Sequence, residues 1–498
     1  MKYLVFAITV LALLFTIRGR SIDLADSQTH RDTSPGGPYE GSNSAGRFAV
    51  TEAIVKTHSF FLTFDQAKFA APDVAKLHGK YISIFTPGVS FLGIPLYVLG
   101  GLIGFPQQGA YFTITLIALV NFILIAKLAH KLTASLSTAI LSGFIFLFAT
   151  NALPYANTFT QHHVALSIVL LSLILALRSA SFFRDVLIGL LAGLGLLVDL
   201  PTALMLLPVG LYVLSKHVSI ESSVNKFHLS IKYSLLGLIL GALPMVGIFA
   251  WYNYHTTGSA SIIAQSIGRA PELDVKPIVA EDTTSKESHS ALPYKTRSVL
   301  NGLYILIISN ERGWFYYSPI LIAGVLGLIL SLKSSHRDLA KVSLGIILMI
   351  IASYSMFGDP WGGWSYGARY MIPASGVVSI FIGLAVKRFH KQLVFMTLFI
   401  IAAIYSIYVA SLGALTTNAV PPKVESVNLS VPIPYTYRYN QKYFIDRNIS
   451  SSLAFNTVLK DYLTAHAFLI SLTAVLSVVM LNLYFWDLYP YVRKLYRH

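Results

Sequence analysis

Three strings in this sequence combine residue types suited to charged or polyhydroxyl ligands. The first is Trp361-Gly362-Gly363-Trp364-Ser365-Tyr366-Gly367-Ala368-Arg369-Tyr370. Its glycines permit tight backbone turns. Trp361, Trp364 and Tyr366 offer flat faces with a polar edge, and Arg369 carries a planar fork of donors that suits a phosphate. Membrane-interface anchoring competes as an explanation for the aromatics, but anchoring needs neither the glycines nor the arginine. The second string is Glu311-Arg312-Gly313-Trp314-Phe315-Tyr316-Tyr317-Ser318-Pro319, where Glu311 and Arg312 are expected to pair with each other. The third places His162-His163 after Asn157-Thr158-Phe159-Thr160-Gln161. Adjacent histidines on a helix face different ways, so they make a poor chelating pair. They read as interfacial polar residues, with a phosphate or sugar contact as the alternative. No Walker loop, dinucleotide fingerprint or HExxH is present. With no cysteines, thiolate nucleophiles, disulfides and Cys-based metal sites are excluded.

The acidic residues are few and unevenly spread. Asp23, Asp26, Asp32 and Glu40 precede a Gly-Ser-Asn-Ser-Ala-Gly run, and Asp65 and Asp73 follow before Gly79-Lys80-Tyr81. Between them an amphipathic helix is expected from about Arg47 to Thr57. Asp199-Leu200-Pro201 interrupts a long apolar stretch. Proline removes a donor and disfavours the helix before it, so one helix ends and another starts there. A carboxylate at such a place is costly unless paired or wet. The simplest reading is that Asp199 caps the helix of Thr202.

The elements that must hold these residues are membrane helices. Of 498 residues 55% are apolar and 12% charged, with a mean hydropathy of +0.64. A soluble domain carries roughly a quarter charged residues, so a soluble enzyme, a disordered chain and a fibrous one are excluded. A spanning helix needs about 20 mostly apolar residues. Runs beginning near Tyr3, Ala110, Ser135, Val164, Val186, Thr202, Tyr233, Pro319, Val342, Ile372, Leu393 and Ala465 predict an all-α integral membrane bundle of about twelve spans. Phe91 to Phe105 is ambiguous. If it does not span, every short basic connector falls on one side, as the positive-inside rule asks. It is therefore read as re-entrant or interfacial, which its glycines and Pro95 also favour. The first run lacks a small-residue cleavage site and reads as a retained helix rather than a signal peptide.

This topology puts both termini in the cytoplasm of a multi-pass cell-membrane protein. A single polytopic domain then exposes outer loops at 18–108, 253–316 and 413–464. The formal charge of +15 also finds an address: the cytoplasmic side holds 17 Lys+Arg against 4 Asp+Glu, leaving 20 against 18 outside. The excess is a topology signal, not a nucleic-acid one. Gly189/Gly193 and Gly237/Gly241 form GxxxG pairs that predict close helix packing.

The chain resembles the polytopic membrane glycosyltransferases of the GT-C fold, including the protein O-mannosyltransferase and aminoarabinose transferase families and their uncharacterised bacterial and archaeal relatives. The resemblance is carried by "RFAVTEAIVK" from Arg47 to Lys56, by Asp73-Val74-Ala75 with Gly79-Lys80-Tyr81 leading to Thr86-Pro87-Gly88-Val89-Ser90, and by the strings 311–319 and 361–370. It implies a first helix followed by a large outer loop with horizontal helices. It also implies a polyprenyl-phosphate-linked sugar donor and transfer on the outer face to a glycan, lipid or protein acceptor, among membrane lipids. Better-known members carry an acidic pair just ahead of an Arg-Tyr-like pair. Here Ser44-Ala45-Gly46 precedes Arg47-Phe48, so the catalytic acid does not carry over directly. The expected bases are Asp32 and Glu40, then Asp23, Asp26 and Asp73, with Arg47, Lys80 and Arg369 as donor-phosphate partners. His162, His163, Trp361, Trp364 and Tyr366 are the expected substrate contacts. No metal ligands are assigned; no cofactor is certain, and a divalent cation stays open. Two other readings stand beside this one: a transporter or flippase for a lipid or small solute, and an inactive relative.

Overall fold

The computed structural model describes residues 2–19, 36–223, 226–273 and 299–486. Most of them are helical. Among the described residues five helices are long and apolar enough to cross a membrane: Pro106–Thr133, Tyr233–Thr257, Arg337–Ser355, Leu393–Leu415 and Ala465–Trp486. A sixth span is reached if Arg369–Ser379 and Ile382–Phe389, bent by 48° at their break, are taken together. Shorter apolar helices, Tyr3–Phe15, Leu136–Phe148, His162–Ala176 and Leu321–Leu332 among them, fill the bundle. Several of the expected spans are therefore shorter or more broken than a continuous apolar run suggests.

Small residues let the helices approach. The GxxxG expectation is met at one interface. A Cβ on Gly189 would lie 2.1 Å from the Leu238 carbonyl oxygen, and one on Gly241 would lie 1.9 Å from that of Val186. The helix Phe182–Val198 thus rides on Leu236–Thr257 backbone to backbone, a contact only glycine permits. The first helix is part of the bundle, with Phe15 edge-on to Phe468 at 6.3 Å.

The segment after residue 36 builds a cap of short elements. Ser42–Thr57 forms a helix as predicted, but Ser44 to Ala53 are buried on every side, so it is an internal helix rather than an amphipathic one. Ala53 and Val50 pack there with Leu62, Ala67 and Ala70 in a second, smaller core. Two hairpins depart from the all-α expectation. Strand β1 (Val74–Leu77) pairs antiparallel with β2 (Lys80–Ser83), Leu77 opposite Lys80. His78 and Gly79 turn between them with positive φ, 48° and 78°, the backbone of a two-residue hairpin loop. Strand β3 (Val218–Ser223) pairs with β4 (Lys226–Ile231). These strands are short, although Phe227, Leu229 and Ile231 alternate with polar residues along β4.

The ambiguous run becomes the helix Gly88–Leu102. Near its start Thr86 donates to the Val198 carbonyl at 2.7 Å. Gly93 admits the Phe159 ring, which a Cβ would meet at 2.3 Å. Beyond its end Gln107 receives the Tyr39 hydroxyl at 2.6 Å. Both ends therefore meet residues of the layer that holds the candidate site.

Candidate functional site

Four chain segments meet in that layer. They are the first turn of Ser42–Thr57, the buried polar run 150–163, the helix break at Asp199, and the loop 358–371 with the end of the helix Leu393–Leu415 and residues 416–419 behind it. Their alignment is set by polar contacts far apart in sequence. Arg18 is fully buried; it donates to Glu40 at 2.9 Å, to the Gly413 carbonyl at 2.6 Å and to Asn418 Oδ1 at 3.0 Å. Asn418 Nδ2 in turn donates to the Pro154 carbonyl at 3.0 Å. Tyr155 links the polar run to the loop, accepting from the Tyr366 amide at 3.0 Å. Arg312, also fully buried, donates to the carbonyls of Val420 (2.8 Å), Glu311 (3.0 Å), Trp361 (3.3 Å), Gly363 (3.4 Å) and Tyr435 (3.5 Å). The expected Glu311–Arg312 side-chain pair does not form. Glu311 Oε1 instead accepts from the Lys423 amide at 2.7 Å, and the guanidinium staples three loops together.

Between these segments lies a small cleft of about 30 Å³, partly open to solvent, lined by Glu40, Gly41, Asn43, Ser44, Tyr155, Thr158, Thr160, Trp364, Arg369, Asn418 and Ala419. Arg369 lies 5.3 Å from the Tyr370 ring centroid. Tyr370 stacks on Tyr354 at 4.2 Å and 5°, and His162 stands edge-on to both Tyr370 (6.2 Å) and Tyr155 (5.7 Å). Arg47, almost fully buried, sits behind the wall, with Nη1 on Asn43 Oδ1 at 2.6 Å and its guanidinium over Phe85 at 4.2 Å. Burial pushes Arg47 down to about 10, against the pull of Asp199, so it remains a cation at neutral pH. Among the described residues neither Arg47 nor Arg369 has a carboxylate ion-pair partner. Arg47 Nε, Arg369 Nε, His162 Nε2 and Thr160 Oγ1 are buried with no hydrogen-bond partner. Orphaned donors of this kind are rare in folded proteins and ask for an explanation such as a ligand.

The carboxylates divide sharply. Glu40 Oε1 accepts from Arg18 (2.9 Å) and the Asn418 amide (2.6 Å); Oε2 accepts from the Gly36 amide (2.6 Å) and the Thr417 hydroxyl. A carboxylate offers about four lone-pair sites, so Glu40 has none left for a substrate proton. Asp73 takes Ser42 Oγ at 2.5 Å and lies 3.5 Å from Arg269. Asp199 does not cap the following helix with its side chain. It accepts from Gln161 Nε2 at 3.2 Å, lies beside the Leu200 amide and faces the field of Arg47. Asp23, Asp26 and Asp32 lie outside the described residues.

The remaining expected contacts scatter. Trp364 lines the cleft, 40% exposed, and donates to Glu425 at 2.6 Å. Trp361 is half-buried, and its carbonyl serves Arg312 and Ser365. Tyr366 is fully buried, its hydroxyl on the Val409 carbonyl at 2.6 Å. His163 turns into the bundle, Nε2 against the Ala152 carbonyl at 2.9 Å. Lys80 is exposed on the β1–β2 hairpin over Phe61 at 4.3 Å. Tyr155, Thr158, Thr160, Gln161 and Asn418 were not anticipated. The one signal for most of them was polar density, since Asn157 to His163 are buried yet mostly polar. No group of three His, Asp or Glu side chains close enough to hold a metal occurs among the described residues.

No family profile matches the chain, and no curated protein matches it in sequence. The fold does have solved counterparts. The structure of ArnT from Cupriavidus metallidurans bound to undecaprenyl phosphate superposes with a TM-score of 0.50 at 15% identity, over 97% of this chain and 75% of that one. The apo form of the same protein gives a TM-score of 0.49 at 15% identity, over 97% and 77%. With its helical bundle, its capping segment and this match over almost the whole chain, the protein has the GT-C fold of the polytopic membrane glycosyltransferases, in the form that ArnT, an aminoarabinose transferase, adopts.

Proposed function

We propose that this chain is a membrane glycosyltransferase that moves a sugar from a polyprenyl-phosphate-linked donor to an acceptor hydroxyl on the outer face of the membrane. One observation carries the reading. Arg369, partly buried on the cleft wall, and Arg47, buried behind it, are cations with unsatisfied buried Nε donors, set around one under-used carboxylate, Asp199. The comparison protein was crystallised with undecaprenyl phosphate, a ligand such a cluster suits.

The chemistry then divides among these groups. The bond from the sugar C1 to the phosphate oxygen breaks, and its electron pair stays on the phosphate. Arg369 and Arg47 stabilise that added charge in a water-poor site. The acceptor oxygen bonds C1 and gives its proton to a base. Of the described carboxylates at the site, Asp199 has lone pairs to receive it, whereas Glu40 does not. The acceptor is a glycan, lipid or protein hydroxyl reaching the cleft past Trp364. The basic connectors of the sequence support a cytoplasmic position for both termini.

The test uses the full chain in lipid nanodiscs with polyprenyl phosphate and a radiolabelled polyprenyl-phosphate hexose. Arg369→Ala should weaken polyprenyl phosphate binding by about tenfold or more. Asp199→Asn should keep binding and lose transfer by about a hundredfold or more. The reading fails if the wild-type chain does not bind the lipid phosphate, or if Arg369→Ala and Arg47→Ala bind it as the wild type does.

A further inference from the structure

We propose that Asp359 is the residue that lets the spent lipid phosphate leave. Its carboxylate opposes the extra negative charge that the lipid carries after transfer, and so keeps the product from outcompeting the donor. The proposal rests on the glycosyltransferase reading and concerns the second half of that cycle.

The charge of the ligand changes as it reacts. A polyprenyl-phosphate sugar is a phosphodiester with one negative charge. When the bond from the sugar C1 to the phosphate oxygen breaks, the phosphate keeps the electron pair and becomes a monoester. That monoester carries close to two charges at neutral pH, because its second pKa is about 6. Arginines alone would therefore hold the product more tightly than the donor. Each unit of charge feels the summed field of the site, so a carboxylate beside the arginine reduces the preference for two charges over one.

Asp359 stands in that place, half-buried at the start of the loop 358–371. Gly362 joins it to Arg369. The Gly362 amide donates to Asp359 Oδ1 at 3.1 Å, and a Cβ on Gly362 would lie 2.7 Å from Arg369 Nε. A Cβ on Gly363 would lie 3.8 Å from Asp359 Oδ2, so the carboxylate lies along the turn that delivers the arginine. Among the described residues Gly362 is the one hydrogen-bond donor to this carboxylate. Asp359 forms no direct ion pair with Arg369, yet it lies within the field of that guanidinium. The arginine thus stays open to a phosphate while the acid acts on the same ligand from a short distance. Arg312 also faces Asp359, but its donors are spent on five backbone carbonyls. Asparagine or serine would hold the turn through a neutral oxygen, so the charge of Asp359 exceeds what the turn requires.

The experiment measures displacement of labelled polyprenyl phosphate from the full chain in nanodiscs at about pH 8, where the monoester is a dianion. Two unlabelled competitors differ by one charge: polyprenyl phosphate and its monomethyl ester. Asp359→Asn keeps an oxygen for the Gly362 amide and removes the charge. It should tighten the methyl ester about threefold and polyprenyl phosphate about tenfold, since two charges feel the change twice. Asp359→Ser, whose hydroxyl also holds such a turn, should give the same pattern and decides the matter if the asparagine variant does not fold. Asp359→Glu restores the charge and should return both affinities close to the wild-type values. If the neutral variants do not tighten polyprenyl phosphate more than its ester, the inference is overturned, and Asp359 is only a turn residue or a counter-charge for Arg312. The glycosyltransferase reading survives that result. A wild-type chain that binds neither lipid overturns that reading, and this inference with it.

Discussion

Gln161 holds Asp199 by a 3.2 Å hydrogen bond across the helix break. The donor is neutral, so it orients the carboxylate while lowering its basicity less than a paired arginine would. Removing it should cost turnover rather than affinity. In Gln161→Ala, kcat for transfer should fall about tenfold while KM for the lipid donor stays near the wild-type value. In Gln161→Glu, a second carboxylate beside the first raises the proton affinity of Asp199. The acidic limb of the pH–rate profile should therefore move to higher pH. An unmoved limb would remove Asp199 from the role of base.

Glu40 should matter to stability more than to chemistry. It closes a buried ion pair with Arg18, and both side chains are at most 5% exposed. Breaking such a pair leaves an uncompensated charge and costs about 3–5 kcal/mol. Arg18→Ala and Glu40→Ala should each lower the thermal midpoint of the detergent-solubilised protein markedly, and the double variant should lose less than their sum. If Glu40→Gln keeps its thermal midpoint but loses all transfer, Glu40 is a catalytic group after all.

Lipid-phosphate affinity should have a broad pH optimum. Below about 6 the terminal phosphate takes up a proton and loses charge. Above about 10 Arg47 loses its proton, since burial has lowered it to that value. Because the folded pKa of this cation is depressed, its charge survives throughout the neutral range and is lost only as pH rises through 10. Affinity for polyprenyl phosphate, read by displacement in nanodiscs, should be flat from about pH 7 to 9 and fall on either side. In Arg47→Ala the alkaline fall should disappear.

What the sequence disclosed and what it hid follow from the range of the interactions. Features encoded locally were legible: the glycine pairs at 189/193 and 237/241, the helix break at Asp199, and the aromatic-glycine loop that delivers Arg369. Glu40 was misjudged because its partners Thr417 and Asn418 are nearly four hundred residues away. An acid followed by glycines looks free until the distant segment that claims it is placed. Asp199 was misjudged in the opposite sense. Asp before Pro at a helix start is a cap signature, but here the side chain turns to Gln161 instead. Lys80 follows a glycine in a family-like string, yet the hairpin register carries it onto Phe61 and away from the cleft.

Gly362 ties the loop backbone to the phosphate site and gives the most selective test of that link. It adopts φ +72°, and a Cβ there would lie 2.7 Å from Arg369 Nε and 3.3 Å from the Tyr370 ring. Alanine is strained in that backbone region, and the nearest atom belongs to the guanidinium rather than to the backbone. The side chain most easily displaced is therefore Arg369 itself. Gly362→Ala should weaken polyprenyl phosphate binding severalfold while costing only about 1–2 kcal/mol of stability. Gly367→Ala is the informative comparison, since its Cβ would meet Asn151 Nδ2 at 2.3 Å instead. It should lower the thermal midpoint with less effect on lipid-phosphate affinity. If both variants lose stability equally and neither changes binding, Arg369 is not the group that receives the phosphate.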